Sequence, residues 1–142
     1  FVPSLNRIII PDIDHLLDEL VTGSNLNWYW AIKNDRIFGM VVYSLDYESS
    51  STKNLIIHHF SCLYERSFRQ LAELAMVFLF QKETCDEVRY HLLTPLGADL
   101  PIEYKKIFSE LSCHWRAHRF VQEYNAEIVV MGRDRNEKPA KR

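Results

Sequence analysis

The sequence predicts an α+β domain: a mixed, mostly antiparallel sheet of about seven strands with flanking helices. Two observations lead there. Short runs rich in β-branched and aromatic residues recur along the 142 residues, while only three segments show apolar spacing of three and four. The helical segments also do not alternate strictly with the strands. The order β-α-β-β-β-α-β-α-β-β excludes a doubly wound parallel sheet and leaves one parallel pairing, across the helix at 67–81.

Taken in order, Arg7-Ile8-Ile9-Ile10 is a β-branched strand and Pro11-Asp12 opens a helix over 13–21. Ile13, Leu16, Leu17 and Leu20 share one face of that helix, and Gly23-Ser24-Asn25 stops it. Trp28 to Lys33 and Ile37 to Leu45 form a hairpin about an Asn34-Asp35 turn. Alternation in Trp28-Tyr29-Trp30 buries one side of the first strand and presents aromatics on the other, a candidate partner surface. The polar stretch 46–53 is a loop. Leu55 to Phe60 is a strand, and Ser67 to Gln81 is a helix with Leu71, Leu74, Ala75, Phe78 and Leu79 on one side. That helix is apolar nearly all round near 76–80, so the sheet should cover one side and something else the other.

Glu87 to Leu93 is the next strand. Thr94-Pro95-Leu96-Gly97 breaks the chain, and Pro101 begins a helix reaching about Leu111. Strands at 116–123 and 126–132 meet at a Tyr124-Asn125 turn. Residues 1–132 read as one domain, with a polar, frayed tail over 133–142.

Composition narrows the function. A net charge of −2 gives no electrostatic case for nucleic acid, and no apolar run reaches the roughly 20 residues a membrane span needs. Three cysteines, Cys62, Cys85 and Cys113, are odd in number and widely spaced, which points to unreactive thiols in an intracellular, reducing compartment. Cys113-His114 with His118 lacks the paired Cys-x-x-Cys of a zinc site, so no metal is expected. A nucleophile elbow, a P-loop and a Rossmann fingerprint are absent.

The element order resembles the GNAT acetyltransferase superfamily over nearly the whole chain. Arg7 to Asp14 is similar to the family's opening strand and helix start. Asp35 to Val42 is similar to its hairpin, with Gly39 after a hydrophobic pair, and Asn54 to Leu93 to its acetyl-CoA-binding strand, helix and splayed neighbouring strand. The resemblance implies CoA in a V-shaped gap between two strands and direct acetyl transfer to an amine. It implies cofactor contacts from Leu63, Arg66, Ser67, Phe68, Arg69 and Gln70, a base at His58 or His59, and a proton donor at Tyr104.

Three departures bear on that activity. The family's pyrophosphate turn, Gln/Arg-x-x-Gly-x-Gly/Ala, falls on Arg66-Ser67-Phe68-Arg69-Gln70-Leu71, with Arg69 and Leu71 at the glycine positions. Glycine serves there because the absent Cβ lets backbone amides approach the ligand. The tyrosine of the later helix is replaced by Phe108, one turn from Tyr104, and Ser112-Cys113 stands in place of a Gly-Phe ending. The expectation is a degenerate, non-catalytic GNAT-like domain that binds a protein partner and needs no cofactor. The alternative is a divergent acetyl-CoA-dependent N-acetyltransferase acting on a lysine or an N-terminus.

Overall fold

The computed structural model describes residues 26–47, 49, 51–95, 102–122 and 125–136. The strand and helix expected over 7–21, the stop at 23–25, Leu96-Gly97, Pro101, Tyr124 and the tail from residue 137 lie outside them.

Strand β1 (Asn27–Lys33) and strand β2 (Arg36–Tyr47) form the expected hairpin. Asn34 and Asp35 both take positive φ, 52° and 62°, the conformation that lets a two-residue turn match the strand twist. Strand β3 (Lys53–Cys62) runs antiparallel to β2. A 3-10 turn over Glu65–Ser67 leads into helix α1 (Phe68–Glu83), which crosses over to strand β4 (Glu87–Pro95). As the crossover requires, β4 pairs with β3 in parallel. Helix α2 (Ile102–Glu110), strand β5 (His114–Val121) and strand β6 (Ala126–Asp134) complete the described chain, and the sheet order is β1-β2-β3-β4-β6-β5.

Both helices pack on one face of the sheet. The inward residues of α1, Phe68, Ala72, Met76, Leu79 and Phe80, recur at spacings of three, four and one, and they meet Tyr43, Leu55, Ile57, Phe60 and Tyr90. Each large side chain so buried contributes roughly 2 kcal/mol. The helix packs tightly on β2 at Gly39, where an added Cβ would stand 2.5 Å from Leu71 Cδ2 and 2.6 Å from Ser61 O. The buried stripe of α1 is rotated from the expected one: of Leu71, Leu74, Ala75, Phe78 and Leu79 only Leu79 is fully buried, while Leu74 and Phe78, with Val77, stay exposed.

Two helix ends use left-handed residues other than glycine. Thr84, at φ 53°, donates its N–H to Phe80 O at 3.1 Å. After α2, Ser112 at φ 57° donates to Ser109 O (3.0 Å) and Cys113 donates to Phe108 O (2.8 Å), the paired bonds of a Schellman stop. The position where the family pattern has glycine therefore keeps glycine's conformation.

Order also runs further toward the C-terminus than the sequence suggests. Arg133 and Asp134 finish β6, and Arg135 Nη2 and Nε donate to Phe80 O (2.7 Å) and Cys85 O (2.8 Å). A guanidinium thus ties the end of β6 to the last turn of α1, where Phe80 O also accepts the Thr84 N–H, and to Cys85 beyond it. Residues 133 and 134 belong to the sheet and Arg135 is held by these bonds, contrary to the expectation of fraying from Arg133.

Candidate functional site

The parallel ladder between β3 and β4 is short. Asn54 to Ile57 pair with Glu87 to Tyr90, yet β3 continues to Cys62 and β4 to Pro95. Beyond Ile57 and Tyr90 the two strands diverge into a V. Each sequence-derived site residue can be placed relative to that opening.

His58 stands where the ladder ends, and it is the extra residue of a β-bulge. Val42 pairs with His59 and Tyr43 pairs with Ile57, leaving His58 opposite no residue of β2. Strict alternation would send His58 and His59 to opposite faces, so that only one could reach a cleft. The bulge corrects this expectation. His58 Nε2 and Ser44 Oγ share a 2.7 Å hydrogen bond, and Val42, two residues before Ser44, is the partner of His59. Both imidazoles therefore lie on the sheet face away from α1.

His91, on the other arm of the V, meets His58 edge-on at 5.7 Å between ring centroids. Burial lowers the pKa of His59 to about 4. Burial, then His58, Arg119 and Arg89, lowers that of His91 to about 3. His59 and His91 are neutral at physiological pH, and they are weak bases toward an amine, whose own pKa lies some six units higher.

On the helix face a cleft of about 660 Å³ opens between the β3–α1 turn and α2, with Leu63, Arg66, Phe68 and Tyr104 among its lining residues. Here the structure joins four of the predicted residues. Tyr104 lines the cleft without any rotation of α2, but its hydroxyl is buried, and Phe108 lies fully buried behind it. Phe68 is 1% exposed, and its ring packs edge-on against Phe60 (5.2 Å), Tyr104 (5.4 Å) and Phe108 (6.2 Å). Tyr90 closes the cluster against Phe60 and Phe108 and donates its hydroxyl to Ala72 O at 3.1 Å.

The remaining predicted cofactor residues are placed differently. Arg69 Nε binds Glu110 Oε2 at 2.7 Å and Nη1 lies 3.7 Å from Glu73 Oε2, so this cation ties α1 to α2. Arg69 and Gln70 face a separate depression beside Leu74 and Val77. Ser67 N donates to Tyr64 O at 3.0 Å inside the 3-10 turn, and its side chain makes no capping bond. Leu71, at the second glycine position, turns toward Gly39. At the head of α1 the Ser67 amide is engaged within the turn, Phe68 fills the interior, and Arg66 is the predicted arginine that lines the cleft.

His91 was readable from the sequence. Val88, Tyr90 and Leu92 alternate as an apolar face, which sends Arg89 and His91 to the other. Glu110 carries no local signal, since its partner Arg69 is 41 positions away.

No protein-family model matches the sequence, and no curated protein matches it. Solved structures do. A Bacillus subtilis acetyltransferase in complex with CoA is 14% identical, with 94% of this chain and 93% of that one covered at a TM-score of 0.61. The aminoglycoside 6'-N-acetyltransferase from Enterococcus faecium is 9% identical, covering 91% of this chain and 83% of its own at 0.62. A GNAT family acetyltransferase from Elizabethkingia anophelis with acetyl-CoA bound is 10% identical, covering 84% and 82% at 0.60. The chain has the GNAT fold, a mixed α+β sheet flanked by helices. Identities this low speak for the fold alone.

Proposed function

We propose that this domain is a non-catalytic GNAT-fold module that binds a protein partner. The observation carrying the reading is the head of α1, where Arg69 and Leu71 occupy the glycine positions and the neighbouring Phe68 ring is buried in the aromatic packing at the V. Three features agree with it. Arg69 is held by Glu110 and Glu73, His59 and His91 are weak bases, and apolar side chains stay exposed on both faces. Trp28 and Trp30 sit side by side at 5.5 Å on the face of β1 away from α1. Leu74 and Phe78 border a groove of about 280 Å³ against the β1–β2 hairpin, where Phe78 meets Tyr29 edge-on at 4.9 Å, and Val77 is exposed on α1. The buried free thiols of Cys62, Cys85 and Cys113 suit a reducing compartment, and no helix among the described residues is long and apolar enough to cross a membrane.

A second reading, an acetyl-CoA-dependent N-acetyltransferase acting on an amine, is favoured by the cleft that Arg66 and Tyr104 line. In that reading Tyr104 would donate a proton to the departing thiolate and His58 or His59 would take one from the amine. Titration calorimetry with acetyl-CoA separates the two. The module reading expects no heat of binding up to millimolar ligand. Micromolar binding, with amine-dependent release of free thiol, would overturn it.

A further inference from the structure

We infer that the end of the sheet where the β1–β2 turn meets the β3–α1 turn is a docking groove for an extended, acidic segment of a partner protein with apolar anchors. This rests on the interaction-module reading and names its site and the chemistry of its partner. The cleft of about 660 Å³ described above adjoins a second of about 480 Å³ between the two turns, and the pair share Leu63 and Tyr64 as a common wall. That wall is fixed: Leu63 N donates to Phe38 O at 2.8 Å, and the Tyr64 ring packs 5.6 Å from that of Phe38. The surface is therefore preformed, which lowers the ordering cost of binding.

Its chemistry is apolar underneath and cationic at the rim. Ile37 is 51% exposed and Tyr64 48%, large for aliphatic and aromatic groups on a domain with a filled core. Among the described residues, Lys33, Arg36 and Arg66 line the two clefts together with the carboxylate of Glu103, and Asp35 lies in the neighbouring turn. None of these three cations has an ion-pair partner among the described residues, and Arg66 lies over the Tyr64 ring at 5.8 Å. Elsewhere on the domain Arg69, Arg89 and Arg116 are each tied to a carboxylate. In a chain with net charge −2, this end of the sheet sets three cations against the two carboxylates of Glu103 and Asp35, a locally positive rim beside exposed apolar side chains. It is complementary to carboxylates alternating with leucine or phenylalanine: the charges steer and orient the segment, and the apolar anchors supply the buried area. A second copy of this surface would set cation against cation.

The test is fluorescence anisotropy with a labelled nine-residue peptide alternating Glu with Leu and Phe, beside the same peptide carrying Lys for Glu. The acidic peptide should bind and the basic one should not. Arg36→Glu with Arg66→Glu should weaken binding at least tenfold, and Ile37→Asp should weaken it independently. All three positions are exposed, so the melting temperature should hold. Equal binding of both peptides, an unaffected double variant, or displacement by a single-stranded oligonucleotide that binds more tightly would overturn the inference. If neither peptide nor acetyl-CoA binds, this groove assignment fails while the module reading stands. If acetyl-CoA binds at micromolar concentration and displaces the peptide, the module reading fails with it.

Discussion

The buried His59 makes a prediction that can be worked through. Its folded pKa is about 4 against an ordinary 6.5, because the ring is enclosed and an imidazolium there would lose its hydration. The unfolded chain therefore binds the proton more readily than the folded one between those values. The stability that comes from keeping His59 neutral is fully present above pH 6.5 and is lost as the pH falls toward 4. At pH 5 the loss amounts to roughly 2 kcal/mol, and over the whole window to about 3 kcal/mol. His91, held to about 3 chiefly by burial, adds a loss of the same sign. Urea denaturation at pH 7.5 and pH 5.0 measures the sum, and His59→Gln should remove about 2 kcal/mol of the difference while leaving the part due to His91. An NMR titration of the His59 ring gives an independent reading. A ring that titrates near 6.5, or a variant with the same acid sensitivity as the parent, would refute the burial argument. It would also restore His59 as a competent base.

Two further outcomes follow from packing and backbone. Phe68→Ala should cost about 4 kcal/mol in chemical denaturation, since it removes a ring enclosed by Phe60, Tyr104 and Phe108. A loss below 1 kcal/mol would mean that the ring is not part of the core. Ser112→Gly should raise stability by up to about 1 kcal/mol, because the residue already holds φ 57° in the Schellman stop after α2, and an unchanged or lowered midpoint would contradict that geometry.

The strands and helices between Trp28 and Gly132 were readable because burial there follows simple periods. Leu55 and Ile57 on β3 announce their face without tertiary information, but the stripe of α1 does not. Of Leu71, Leu74, Ala75, Phe78 and Leu79 only Leu79 is fully buried, because a helix apolar nearly all round offers more than one possible inward face. The bulky residues at the head of α1 were also visible, since Arg69 and Leu71 stand where the family pattern has glycine. Three things were hidden. The bulge at His58 resets the phase of β3, so that Phe60 and Cys62 reach the same face as Ile57, and counting by twos assigns the histidines wrongly. The Arg69–Glu110 and Arg135–Phe80 bonds join residues far apart in sequence. The gap at Gly39 that receives Leu71 exists only once β2 and α1 are packed, and it shows how a leucine fits where a small residue would be expected.

The brief ladder between β3 and β4 has a mechanical consequence. Four residue pairs hinge two blades of sheet, one built from β1, β2 and β3 and the other from β4, β6 and β5. The blades can tilt about that hinge without breaking a hydrogen bond inside either of them. The wedge formed by Phe60, Phe68, Tyr90 and Phe108 therefore sets their angle, and a change in the size of any one of these rings would register as a change in the width of the fork.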